Sequence, residues 1–256
     1  MSGCRVWGLL LLLLLSPLVR GGEAVGLPAQ VRLVSEEWLD YTNADGSGLA
    51  WDVLREVFEP HGVKVEIRSE PYVRSVGLVQ RGEADAWVGS YSREIGGVLY
   101  PRWNFDTDHI YSLGLASKPV PDQANLGDFR LAWVRGYKYQ KYLPNVRDFN
   151  EIQRRDGILS MLQHGRVDFY IDALSEVEYV LGQAEDPKVF RSTHLAELPL
   201  YLGFADNERG RMLLALYDQR MGELVKSGRL RRIFEHWKQP YPFESGKYPV
   251  LTDQTD

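Results

Sequence analysis

The sequence predicts an α/β protein made of two lobes with a cleft between them. Two observations carry this reading. Strand-like and helix-like segments alternate from Val31 to Gly89, and the same alternation returns from Phe129 to Ile171. A third agrees with it: 256 residues, 44% apolar and 25% charged, are enough for one large core or two smaller ones.

The elements follow in order. Val31–Val34 is a short apolar strand, and the loop Glu36–Ser47 after it holds Asn43 and Gly46 as turn residues. Leu49, Val53, Leu54, Val57 and Phe58 recur at helical spacing, and His61-Gly62 supplies the stop. Val63–Ile67 alternates as a half-buried strand, a helix around Val73–Arg81 ends at Gly82, and Ala84–Gly89 is the third strand. The second round has a strand at Phe129–Val134, a short helix at Tyr137–Tyr142 and a strand-like piece at Asn145–Asn150. A helix carrying Ile158, Leu159, Met161 and Leu162 follows, with Asp156 as its expected N-cap, then the strand Val167–Ile171. Two helices close the chain, one with Met212–Val225 ending at Gly228 and one over Leu230–Trp237. The tail from Tyr241 has the composition of a frayed end.

The first two dozen residues stand apart. Arg5, the apolar stretch Val6–Val19 and small residues ending in Gly22-Glu23-Ala24 predict a secretory signal over residues 1–24, too short to span a bilayer. Without it the chain loses Arg5, Arg20 and Glu23, which leaves 28 basic against 34 acidic residues. It also loses Cys4, the only cysteine, so disulfides, thiol catalysis and cysteine metal sites are excluded from the remainder. The acidic balance without a basic run argues against nucleic acid. His61, His109, His164, His194 and His236 show no ligand-like spacing, so neither a metal nor another cofactor is expected.

Open α/β sheets bind ligands beyond the carboxyl ends of their strands. The segments in that position are Glu36–Tyr41, Ser90–Arg93, Arg135–Tyr139 and Asp172. Trp38 and Tyr41 are large aromatics in a loop, able either to stack on a ligand or to pack on the first lobe. Trp87, inside a strand, reads as core, and Asp52 as a partner of its helix dipole.

Four stretches between Val31 and Trp237 resemble the family-3 extracellular solute-binding proteins. They are Gly48-Leu49-Ala50-Trp51-Asp52-Val53; Arg81–Ala86 followed by Gly89-Ser90; Gly165-Arg166-Val167-Asp168 with Asp172; and Lys226–Leu230 with Trp237. The resemblance implies a two-lobed periplasmic-binding-protein fold of type II, the Venus-flytrap kind, with two crossover strands. The first lobe would be 25–112 plus 203–256 and the second 113–202. It implies a periplasmic protein, monomeric by default, that captures a small polar ligand such as an amino acid and delivers it to an inner-membrane ABC permease. A sensor for a membrane receptor, or a dehydratase of the cyclohexadienyl type, are the alternatives that the same fold admits.

The resemblance also implies residue roles. Arg93 would grip a ligand carboxylate, Asp172 would take an ammonium, Trp38 and Tyr41 would flank the side chain, and Ser90 and Ser92 would hydrogen-bond the carboxylate end. These residue types suit the task, because an arginine fork holds a carboxylate by two parallel bonds and an aspartate accepts from an ammonium. The chain departs from the pattern in three places. Ser92 and Arg93 are adjacent where the family has several residues between them, the interval Asp168–Asp172 is one residue short, and Tyr137 and Lys138 replace small hydroxyl residues. Lys138 would favour a ligand with additional negative charge. Glu176 and Glu178 read as exposed helical acids, so the general acid that a dehydratase needs is not visible.

Overall fold

The computed structural model describes residues 26–244. The expected signal at 1–24 and the tail beyond Glu244 lie outside the described residues.

Each lobe is built on the same sheet. In the first, β1 (Gln30–Ser35) lies parallel between β2 (Lys64–Ser69) and β3 (Ala86–Ser90). In the second, β6 (Arg130–Val134) lies parallel between β7 (Asp148–Ile152) and β8 (Phe169–Ala173). The fourth strand of each sheet is antiparallel and comes from a chain segment that passes between the lobes. The end of β9 (Phe190–Ala205) pairs with β3, and β5 (Asp106–Leu115) pairs with β8. β5 and β9 also pair with each other from Asp106↔Leu200 to Leu115↔Phe190, which joins the whole into one path, β2-β1-β3-β9-β5-β8-β6-β7. A two-residue β4 (Val98–Leu99) pairs with the end of β9.

Helices cover the faces. α1 (Leu49–Phe58) and α2 (Tyr72–Gln80) lie in the first lobe, where α1 packs against α5 (Glu208–Ser227) and α6 (Arg231–His236). α1 buries Leu49, Val53, Leu54, Val57 and Phe58, the residues that its periodicity marks as the inner stripe. α3 (Ile158–Gln163) and α4 (Leu174–Leu181) cover a separate core in the second lobe around Ile158, Leu162, Tyr170 and Val177.

The two lobes repeat one internal tie. Asp85, just before β3, accepts from the backbone N–H of Arg32 on β1 at 2.8 Å and from its guanidinium at 2.6 Å. Asp168, just before β8, accepts from the backbone N–H of Arg130 on β6 at 2.9 Å and from its guanidinium at 3.0 Å. Arg209 joins the first pair and Lys118 the second. The two aspartate motifs that carried the resemblance are therefore fasteners at the amino ends of strands, remote from the cleft.

Several expectations need correction. Asp156 does not cap α3; its N-cap is Gly157, in the left-handed region at φ 86°. Residues 137–142 hold only a single 3₁₀ turn, Tyr139–Lys141. Residues 241–244 are not a frayed end, because Phe243 is buried and its ring packs on Phe234 and Tyr241. Glu176 is buried, whereas Glu178 is exposed as expected.

Candidate functional site

The carboxyl ends of β1, β3, β6 and β8 converge, and the loops leaving them wall a cavity between the lobes. The first lobe contributes Trp38, Tyr41, Tyr72 and Tyr91; the second contributes Tyr137, Tyr139, Asp172 and Glu176. Phe105 and Asp108 line it from the start of β5. The lobes stand close, and the enclosed space is about 40 Å³, room for roughly three water molecules.

The loop after β1 is pinned by Thr42, whose buried hydroxyl donates to the Glu36 carbonyl at 2.8 Å and accepts from the Trp38 N–H at 3.1 Å. The Trp38 ring then packs against Gly89. A Cβ there would sit 2.5 Å from the indole ring, and the backbone has φ 88°, so this wall requires glycine. Across the cleft the Trp38 Nε1–H donates to the Tyr137 hydroxyl at 2.9 Å. Tyr72 meets Tyr137 edge to face at 5.5 Å, and Tyr91 lies beside Tyr139 at 6.0 Å. Such pairs add modestly to the burial of the rings themselves.

The polar part of the site is acidic. Asp172, next to last in β8, accepts from the backbone N–H of Ala173 at 2.8 Å and from the Tyr170 hydroxyl. Arg155, in the loop after β7, is its cationic partner at 3.0 Å; it also meets Glu176 at 2.8 Å, and Glu36 of the other lobe at 3.7 Å. Burial works against its charge, but Asp172 and the neighbouring groups outweigh that and hold the guanidinium above its ordinary pKa. Burial pushes the Glu176 carboxyl up to about 7; Asp172 adds to this and Arg155 opposes it. Asp108 is likewise raised to about 7 by burial, with the Tyr91 hydroxyl, 2.8 Å away, pulling the other way and Asp172 adding repulsion.

Of the eight candidate residues, Trp38, Tyr41, Tyr137 and Asp172 line the cavity and Ser90, Ser92, Arg93 and Lys138 do not. Arg93 sits exposed on a turn in the left-handed region, φ 53°, so a carboxylate grip through it does not fit this geometry. The Ser90 hydroxyl is buried against Glu94 at 3.1 Å, and Lys138 faces the same Glu94 at 4.0 Å. Asp172 is already held by Arg155, so its free capacity for a ligand ammonium is smaller than the resemblance implies. Sequence reasoning missed Arg155, Asp108, Tyr72 and the cavity role of Glu176. Arg155 had a usable signal, since it too follows a strand end. The five histidines are also less dispersed than their spacing suggests. His109 on β5 and His194 on β9 come together with Glu197, their potential ligand atoms all within 4.8 Å of one another.

No protein-family model matches the chain, and no curated protein sequence matches it significantly. Solved structures do match. The substrate-binding protein of an amino-acid ABC transporter aligns with TM-score 0.64 at 16% identity, over 82% of this chain and all of the other. EhuB in complex with hydroxyectoine aligns with TM-score 0.65 at 22% identity, over 83% of this chain and 89% of that one. A histidine kinase sensor domain with similarity to periplasmic binding proteins aligns with TM-score 0.64 at 16% identity, over 81% and 95%. At these identities the likeness is one of fold. The fold is that of the two-lobed periplasmic binding proteins, with β5 and β9 as the two crossing strands.

Proposed function

We propose that this protein is a solute-binding protein that closes its lobes, 25–112 plus 203–256 and 113–202, around a small polar ligand. It would act as a periplasmic monomer serving an ABC-type importer. The observation that carries the reading is the cavity itself, whose walls come from the strand ends of both lobes. A ligand touching both walls favours the closed arrangement over the open one by its differential contacts, which is how such a clamp reports or retains its cargo. Among the described residues no helix is long and apolar enough to cross a membrane.

The test is a thermal-shift screen of the chain from Val25 onward against amino acids, polyamines, organic acids and osmolytes. At a hundred times its dissociation constant a ligand adds about 2.7 kcal/mol, a rise of several degrees for a chain of this size. A matched ligand should give that rise and lose it in Tyr137→Ala. A screen with no response across every class would refute the reading.

The sensor reading uses the same clamp, and the kinase sensor domain above shows that the fold serves that architecture too. Stimulation of a reconstituted permease's ATPase by the liganded protein supports the importer; binding to a receptor ectodomain instead supports the sensor. The lyase reading gains one observation, because Glu176 and Asp108 are buried carboxyls raised to about 7 in the cleft. Turnover of a bound compound, detected by mass spectrometry and abolished in Glu176→Gln, would establish it.

A further inference from the structure

We infer that the ligand of this cleft is a small organic cation, whose ammonium or methylated-ammonium head seats against the aromatic walls and is balanced by Asp108 and Glu176. The inference rests on the proposal that the cleft is the ligand site, and adds the charge of what enters it.

Three carboxyl groups line the cavity, those of Asp108, Asp172 and Glu176, and among the described residues no lysine, arginine or histidine lines it. Glu36 stands just behind, within 3.7 Å of Arg155. The single guanidinium nearby, Arg155, cannot balance this set. Its carboxylate contacts are to Glu176 at 2.8 Å and Asp172 at 3.0 Å, and it also donates to the Tyr137 hydroxyl at 2.9 Å. Asp108 has a hydroxyl partner, Tyr91, and no basic group bonds it among the described residues. An anionic ligand would have to be desolvated beside three acid groups, which disfavours its charged form. The residues that could have reversed this balance lie elsewhere, with Arg93 in solvent and Lys138 directed at Glu94.

The rest of the lining is aromatic. Seven of the seventeen residues around the cavity are Trp, Tyr or Phe. Ring faces attract a cation, most strongly where water is excluded. The protein already uses this arrangement internally: the Arg155 guanidinium lies 5.9 Å from the centre of the Tyr137 ring while bonding its carboxylates. A ligand cation in the adjoining space would meet the same combination of ring faces and acid groups, with Asp108 in place of Asp172. This reverses the expectation drawn from Lys138, that the ligand carries additional negative charge.

Titration calorimetry and thermal shift on the chain from Val25 onward test this with choline, tetramethylammonium, putrescine and guanidinium as cations. The neutral isostere of choline, 3,3-dimethylbutan-1-ol, and the anions glutamate and succinate are the comparison set. At least one cation should bind, and if choline does, its isostere should bind at least tenfold more weakly. Asp108→Asn and Glu176→Gln, both near-isosteric, should each weaken the cation about tenfold with the circular dichroism spectrum unchanged. Equal binding of choline and its isostere would overturn the inference. Binding of an anion with no response to any cation would also overturn it, yet leave the binding-protein reading standing. Silence from every probe here would overturn the inference, while the binding-protein reading falls only if the wider ligand screen is silent as well.

Discussion

Asp108 and Glu176 hold their carboxyls near neutrality at a cost to the folded chain. Each has a pKa raised to about 7 by burial, against ordinary values of 3.8 and 4.5. The folded state therefore binds protons that the unfolded chain has already released, and stability is fully present below about pH 4 and lost as pH rises towards 7. Thermal melts of the ligand-free protein should show the midpoint falling between about pH 4.5 and 7. Asp108→Asn should flatten that fall, since an amide has no charge to bury, by up to roughly 4 kcal/mol at pH 7.5. Gly89 sets a second residue-scale expectation. Its alanine variant meets both the Trp38 ring and an unfavourable φ, so it should cost about 1–3 kcal/mol and displace the indole from the cavity wall. At this scale the strand-end rule placed Trp38, Tyr41, Tyr137 and Asp172 on the cavity wall. Arg93 obeyed the same rule but lies off the wall, exposed on a left-handed turn at φ 53° that no spacing in the sequence announces.

The elements with a single environment along their length were the legible ones. α1 and α5 keep one buried stripe throughout, and β1 and β6 lie within three residues of where their apolar runs place them. β9 is different. Its first ten residues are mostly half-buried or exposed, while Leu200–Ala205 are all buried, because the strand leaves one sheet's edge and enters the middle of another. No single periodicity describes it, and the sequence offered no strand there. α4 was read only through its acids, Glu176 and Glu178, and its bounds were not legible: its N-cap is Ala173, with no side-chain hydrogen bond to mark the start. Two tests belong here. Gly203 lies against Trp87, and a Cβ would fall 2.0 Å from the ring of this fully buried side chain. Gly203→Ala should thus lower stability by at least 2 kcal/mol in urea denaturation, with the slope unchanged. Asp85→Ala strands two arginines and a backbone N–H, so it should cost about 2–4 kcal/mol; a smaller loss than at Asp168→Ala would show that the two ties are not equivalent.

At the scale of the molecule, the lobes are held together across the cleft by few bonds. Trp38 donates to Tyr137, Arg155 reaches Glu36, and the Lys141 ammonium donates to the Glu94 carbonyl at 3.3 Å. The Trp38–Tyr137 bond is the neutral one of the three and is worth about 1 kcal/mol. Trp38→Phe keeps a ring in the wall and deletes the donor. Small-angle scattering of the ligand-free variant should report a larger radius of gyration than the parent, and a ligand should restore the parent value. The two-lobe plan was legible because the strand–helix alternation occurs twice; which residues meet across the gap was not, since they are far apart in sequence, Trp38 and Tyr137 by 99 positions. The crossing strands carry one more implication. β5 ends at Leu115 and β9 begins at Phe190, and just beyond them the Ala116 N–H donates to the Val189 carbonyl at 2.9 Å. The chain between is, in connectivity, an insert whose two ends are one hydrogen bond apart. A tight turn from Ala116 to Val189 would close β5 and β9 into an ordinary hairpin, and a cut elsewhere in that insert would offer new termini for permuting or grafting the protein without rerouting the rest of the fold.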